Sequence, residues 1–158
     1  MSCCKADTIL HKVKEVLLDL GPALCEAEAI GILGSLARKA DFTDRSDIDV
    51  FVIVKEKKPE DDLTWYQRIS KVLEPLDRDV TVLVYGVKSL RRISNWYVLR
   101  LASEGIILFD RGSIAQLFQN ITEAAHKAGL RETEEDGVKI WTIPELKLGE
   151  IVTVQADE

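Results

Sequence analysis

A chain of 158 residues, 46% hydrophobic and 30% charged, is long enough for one domain with its own core and a modest tail. A formal net charge of −6 argues against a protein that holds long nucleic acid by global charge. No apolar run reaches membrane-spanning length and residues 1–20 lack a signal-peptide core, so a cytoplasmic protein without a membrane partner is expected.

Cys3, Cys4 and Cys25 show no Cys-x-x-Cys or zinc spacing and read as free thiols of a reducing compartment, with a frayed end at Cys3-Cys4. Residues 8–20 place Ile9, Val13, Val16, Leu17 and Leu20 at helical spacing, with Asp7 or Thr8 as the cap and Gly21-Pro22 as the stop. His11 has no ligand partner nearby and reads as a solvated surface residue. Residues 23–29 fit either a short helix or the approach to a strand.

Ala29-Ile30-Gly31-Ile32-Leu33 reads as a short strand ending at Gly34-Ser35. Gly34 permits a positive φ and a close ligand, and Ser35 adds a hydroxyl. Amides exposed after such a turn cradle phosphate oxygens. Eleven residues lie between Ser35 and Asp47. Asp47-Ile48-Asp49 then opens into five unbroken apolar residues, Val50 to Val54, which predicts a buried strand. Side chains at i and i+2 of a strand share a face, so Asp47 and Asp49 project together. Paired carboxylates repel, a divalent cation removes that penalty, and Mg²⁺ prefers such oxygen-rich pairs completed by water and phosphates. A phosphate cradle facing paired carboxylates suits metal-assisted phosphoryl or nucleotidyl transfer.

Residues 55–62 form a charged loop, and residues 63–73 a helix in which Trp65 and Tyr66 read as packing residues. Asp77 and Asp79 precede a third strand, Val80-Thr81-Val82-Leu83-Val84. Residues 89–103 read as one or two amphipathic helices. Arg91, Arg92 and Arg100 lie there, either as an ordinary polar face or reaching a phosphate or an acceptor. Glu104-Gly105 turns into a fourth strand over residues 106–110, and residues 113–128 form a helix closed by Gly129 with His126 at its surface. Asp136-Gly137 between alternating residues signals a hairpin, and residues 148–154 suggest one more short strand.

Gly34-Ser35, Ala37-Arg38 and Ser46-Asp47-Ile48-Asp49 together resemble the signature of the DNA polymerase β-like nucleotidyltransferase superfamily, and within it the minimal nucleotidyltransferase (MNT) domains. The resemblance spans roughly residues 30–110. Lys39 stands where the family often has glycine, and the spacer is one residue longer than its commonest form. The resemblance implies an α/β (α+β) fold, a small mixed sheet flanked by helices. Residues 1–129 would form the nucleotidyltransferase domain and residues 130–158 a β-hairpin tail packed on it or on a partner. It implies a third carboxylate at the head of a later strand, a place that Asp79 fits, with Asp77 as the fallback. The Glu-Gly-apolar segment at 104–108 looks structural, an outer strand of the sheet.

The activity so implied is Mg²⁺-dependent transfer of a nucleoside monophosphate, AMP from ATP or another NTP, to an acceptor hydroxyl. Asp47 and Asp49 would hold two Mg²⁺ ions, Mn²⁺ being a substitute. Asp79 would ligate the second ion and help take the proton. Gly34 and Ser35 would grip the β- and γ-phosphates, with Arg38 adding charge. Three acceptor classes stay open: a HEPN-type partner protein, as for MNT antitoxins; a small molecule, as for aminoglycoside nucleotidyltransferases; or none, in a non-catalytic binding module. Homodimerisation is left open.

Overall fold

A computed structural model of the chain describes residues 2–39, 41–93, 95–136, 138–145 and 147–156, the side chains of residues 2 and 3 excluded. The first helix, α1 (Ser2–Leu17), begins well before the expected start. The reason is Ala6, which is fully buried and extends the face made by Val13 and Leu17. Thr8 is interior to the helix, its hydroxyl donating to the Cys4 carbonyl at 2.9 Å, and is not a cap. Cys4 is helical and exposed, and Cys3 has no described side chain. A 3₁₀ stretch, Leu18–Glu26, follows and breaks at Gly21, where φ is 58°.

The next elements are β1 (Ala29–Leu33), α2 (Gly34–Arg38), β2 (Ile48–Val54), α3 (Asp61–Leu73) and β3 (Val80–Gly86). Two helices, α4 (Val87–Arg92) and α5 (Trp96–Glu104), then lead into β4 (Ile106–Asp110) and α6 (Ile114–Lys127). Asn95 separates α4 from α5 by capping the second, its side chain accepting the Val98 N–H. The four strands form one mixed sheet in the order β3-β2-β1-β4, with β2 and β3 parallel and the other pairs antiparallel. This is the polymerase β-like architecture that the motifs imply.

The apolar run of β2 is continuous because the strand is covered on both faces. Ile48, Val50, Val52 and Val54 enter one core with Val13 and Leu17 of α1 and Trp65, Ile69 and Leu73 of α3. Phe51 and Ile53 enter the other, with Leu99 and Leu101 of α5 and Phe118 and Ile121 of α6. Each such side chain contributes roughly 2 kcal/mol by leaving water. Gly31 of β1 has no room for a side chain: a Cβ there would fall 2.3 Å from both the Ile106 carbonyl oxygen and Phe51 Cζ. Gly31→Ala should therefore cost about 2 kcal/mol through overpacking, read as a lower urea midpoint at unchanged slope. A midpoint within error of wild type would show that the sheet yields there.

The tail forms a separate hairpin of β5 (Arg131–Glu135) and β6 (Val138–Thr142). Gly137 of its expected turn lies outside the described residues. Trp141 is buried against α5 and α6, its indole ring 5.2 Å from the His126 ring. The extra strand expected at 148–154 is absent among the described residues. Val152, Val154 and Ala156 turn alternately inward, but they pack without a ladder; the Ala156 N–H donates to the Arg91 carbonyl.

Strand direction decides what meets at one end of the sheet. β1 leaves there, while β2, β3 and β4 enter there. In register, Leu33 of β1 lies opposite Asp49, and Asp49 lies beside Thr81 of β3.

Candidate functional site

That end of the sheet opens into a cavity of about 650 Å³. Its lining includes Gly34, Ser35, Arg38, Ser46, Asp47 and Asp49 from the β1–β2 region, Thr81 and Tyr85 from β3, and Tyr97, Arg100 and Glu104 from α5. Two residues of each expected kind thus meet in one hollow: the Gly-Ser turn and the Asp-x-Asp pair.

Gly34 carries the tightest contact. Its φ is +69°, and a Cβ would fall 2.2 Å from Asp49 Oδ2. The close approach that the sequence reserved for a ligand is therefore first made by the chain's own carboxylate. Lys39, at the C-cap of α2, has φ 64°, its N–H donating to the Ser35 carbonyl at 2.9 Å. A left-handed residue is what this cap needs, which explains glycine as the common occupant.

Asp49 is half-buried, and its carboxyl is held above the usual carboxylate value chiefly by burial. The Thr81 hydroxyl donates to it and works the other way; Asp47 pushes it further up, and the Arg38 guanidinium pulls it down. Desolvation thus outranks the mutual repulsion expected from the sequence. Asp47 is exposed at the mouth of β2. Its loop is braced by Arg78, which donates to the carbonyls of Thr43 at 3.0 Å and Ser46 at 2.9 Å and lies 4.6 Å over the Phe42 ring. The spacer is therefore anchored over residues 42–46.

Asp79 is not brought to the pair. Its carbonyl accepts the Ile48 N–H at 2.9 Å, so its backbone borders the site, but with Asp77 it lines a neighbouring hollow of about 730 Å³. The parallel register puts Thr81, two residues further on, beside Asp49. Among the described residues no three His, Cys, Asp or Glu side chains group closely enough to hold a metal. The two cavity carboxylates suit Mg²⁺ all the same, since that ion keeps several waters and completes its shell with substrate phosphates.

Sequence reasoning passed over Glu104, which it placed in a structural turn. The turn is real, and β4 is an edge strand, but the Glu104 side chain is only 6% exposed and lines the cavity. Its Oε2 accepts from Arg100 Nε at 3.3 Å and faces Arg38 Nη1 at 3.8 Å. The i, i+4 spacing of Arg100 and Glu104 was the available signal. Tyr85 and Tyr97 also line the cavity; burial, then Tyr97, raises the Tyr85 phenol above its usual range. Trp65 is core, as expected, whereas Tyr66 is exposed beside the neighbouring hollow.

Fold and site together define a nucleotidyltransferase of the polymerase β-like type. Residues 10–111 match the nucleotidyltransferase domain family, well over half of the chain, and the chain belongs to that family. Of three similar solved structures, the two with TM-scores of 0.50 and above agree on the fold. A mutant of the toxin–antitoxin MntA–HpeT is 18% identical, with 74% of this chain and 86% of that chain covered and a TM-score of 0.51. A toxin–antitoxin with AMP-PNP is 20% identical, with the same 74% and 86% covered and a TM-score of 0.50. A tri-AMPylated Shewanella oneidensis HEPN toxin in complex with MNT antitoxin is 18% identical, covering 80% of this chain and 87% of that chain at a TM-score of 0.45. No curated protein sequence matches the chain. Among the described residues no helix is long and apolar enough to cross a membrane.

Proposed function

We propose that the protein transfers AMP from ATP, with Mg²⁺, to a hydroxyl on a partner protein. The observation that carries this reading is the shared cavity: Gly34 stripped of a side chain against Asp49, with Asp47, Ser35 and Arg38 around it. The toxin–antitoxin neighbour with AMP-PNP supports an adenine nucleotide as donor. The MntA–HpeT toxin–antitoxin neighbour supports a toxin as the partner, of HEPN type by the family resemblance.

In this reading Asp47 and Asp49 hold the metal, and Ser35, Arg38 and the Gly34 backbone orient the triphosphate. A divalent cation bound there neutralises phosphate charge and lowers the pKa of the attacking hydroxyl. The acceptor oxygen attacks the α-phosphorus, the bond to the β-phosphate oxygen breaks, and pyrophosphate leaves; the hydroxyl proton passes to solvent. Alignment and charge neutralisation carry such a step, so few side chains are required.

Asp79 stays outside this constellation. Asp79→Asn should lower transfer by less than about tenfold, against a hundredfold or more for a cavity carboxylate. An equal loss in both variants would return Asp79 to the site. A second reading, a module that binds nucleotide and neutralises its partner by contact, draws on Thr81 standing beside Asp49 in place of a third acid. The decisive experiment offers α-labelled ATP and Mg²⁺ with a lysate of the native host. Label on a protein band, lost in Asp49→Asn, supports the enzyme. Label on a small molecule alone moves the acceptor class, and ATP binding without any transfer favours the module.

A further inference from the structure

Glu104 ends α5 and, among the described residues, is the only carboxylate besides Asp47 and Asp49 in the cavity lining. Its side chain is 6% exposed, while ion pairs elsewhere, such as Lys5–Asp44 and Arg68–Glu26, join side chains 32 to 79% exposed. A carboxylate taken that far out of water needs a full set of donors. Glu104 lacks one. Its Oε2 is shared between Arg100 of α5 and Arg38 of α2, and its Oε1 is buried with no hydrogen-bond partner.

One carboxylate is therefore spread over two guanidiniums from separate elements. It cancels one of their two charges. Arg38 is also held from outside by Asp41, at 3.3 Å, so its guanidinium is tied at two points. Guanidiniums are planar forks whose N–H groups match phosphate oxygens in pairs, and their value depends on orientation as much as on charge. A polyphosphate is the chemistry that such a wall takes.

We propose that Glu104 is a positioning residue, which aims Arg38 and Arg100 together at the polyphosphate tail of the nucleoside triphosphate. The proposal rests on the nucleotide reading given above. It extends the grip to Arg100 and accounts for the burial of the acid. The guanidinium pair is assembled before the nucleotide arrives, so less ordering is left to binding.

Charge and positioning predict opposite signs. Glu104→Gln removes a negative charge beside an anion site while keeping size and a hydrogen-bond acceptor. If Glu104 were only a counter-charge, the variant would bind ATP more tightly. If it positions, ATP binding weakens. The test measures Kd for ATP–Mg²⁺ by calorimetry, KM and kcat for transfer, and Tm, on the full chain. We expect Glu104→Gln to raise Kd and KM by about tenfold with kcat within about threefold. Arg100→Gln should show a similar rise, and the double variant should be no worse than Arg100→Gln alone, because both act through one grip. Glu26→Gln, a charge removal away from the cavity, should leave Kd unchanged.

Tighter or unchanged ATP binding in Glu104→Gln overturns the proposal, as does a lowered Tm with Kd unmoved. If Glu104→Gln does not fold, Arg100→Gln decides: an unchanged Kd there overturns it equally. Wild type that binds no ATP–Mg²⁺ sinks the nucleotide reading along with it. Wild type that binds ATP–Mg²⁺, loses it with Asp49→Asn and keeps it with Glu104→Gln sinks the positioning role alone.

Discussion

Gly34→Val yields a folded protein that transfers at least about a hundredfold less, because it loses the carboxylate as well as the phosphate cradle. Two effects combine. With φ at +69°, position 34 has a backbone that a β-branched residue adopts only at a cost. A Cβ there also lands 2.2 Å from Asp49 Oδ2, so the carboxylate must swing away or the turn must open. From the sequence alone, the damage would fall on the triphosphate, which needs the close backbone. The geometry extends it to Asp49, the proposed metal ligand. Calorimetry with Mn²⁺ and with ATP–Mg²⁺ separates the outcomes: both affinities should fall. Metal affinity equal to wild type would mean that Asp49 does not depend on the bare Cα beside it.

Asp49→Asn should abolish transfer, again by about a hundredfold or more, and at the same time stabilise the metal-free protein at neutral pH. Burial raises the Asp49 carboxyl above its ordinary value, so the folded chain holds this proton more firmly than the unfolded chain does. The group's stabilising contribution is complete below the ordinary carboxylate range and is lost as pH rises through the raised value. At pH 7 the ionised carboxylate therefore costs stability, unless a cation pairs with it. Asparagine is neutral, has nearly the same shape and still accepts from the Thr81 hydroxyl. Without metal, Tm of Asp49→Asn should exceed that of wild type at pH 7, and the gap should close on acidification. Adding Mg²⁺ should raise wild type and leave the variant unmoved. A variant less stable than wild type at pH 7 would show that burial is not the dominant influence on Asp49.

Both expectations grow from residues that were legible in the sequence. β2 could be read because five apolar residues in a row admit few alternatives to a doubly covered strand, and its entry fixed where Asp47 and Asp49 lie. Gly34 could be read as a turn, though not which atom would crowd it. Asp79 was chosen because it abuts the strand, but a sequence shows where a strand begins and not its register against a neighbour. Only the parallel pairing with β2 puts Thr81 beside Asp49. Glu104 was hidden for a related reason. It follows an ordinary helical pattern, and its burial depends on Arg38, which arrives from 66 positions earlier in the chain. The start of α1 was obscured because Ala6 is too small to stand out in an apolar pattern.

The direction of the strands also says where the molecule can be altered freely. Because β1 exits and the other three strands enter at the cavity, the loop at residues 55–60 lies at the opposite pole of the sheet, with every residue exposed. Exposed polar loops tolerate inserted sequence well. A fluorescent protein or an affinity handle spliced between Lys58 and Pro59 would report on the protein from the side that the chemistry does not face.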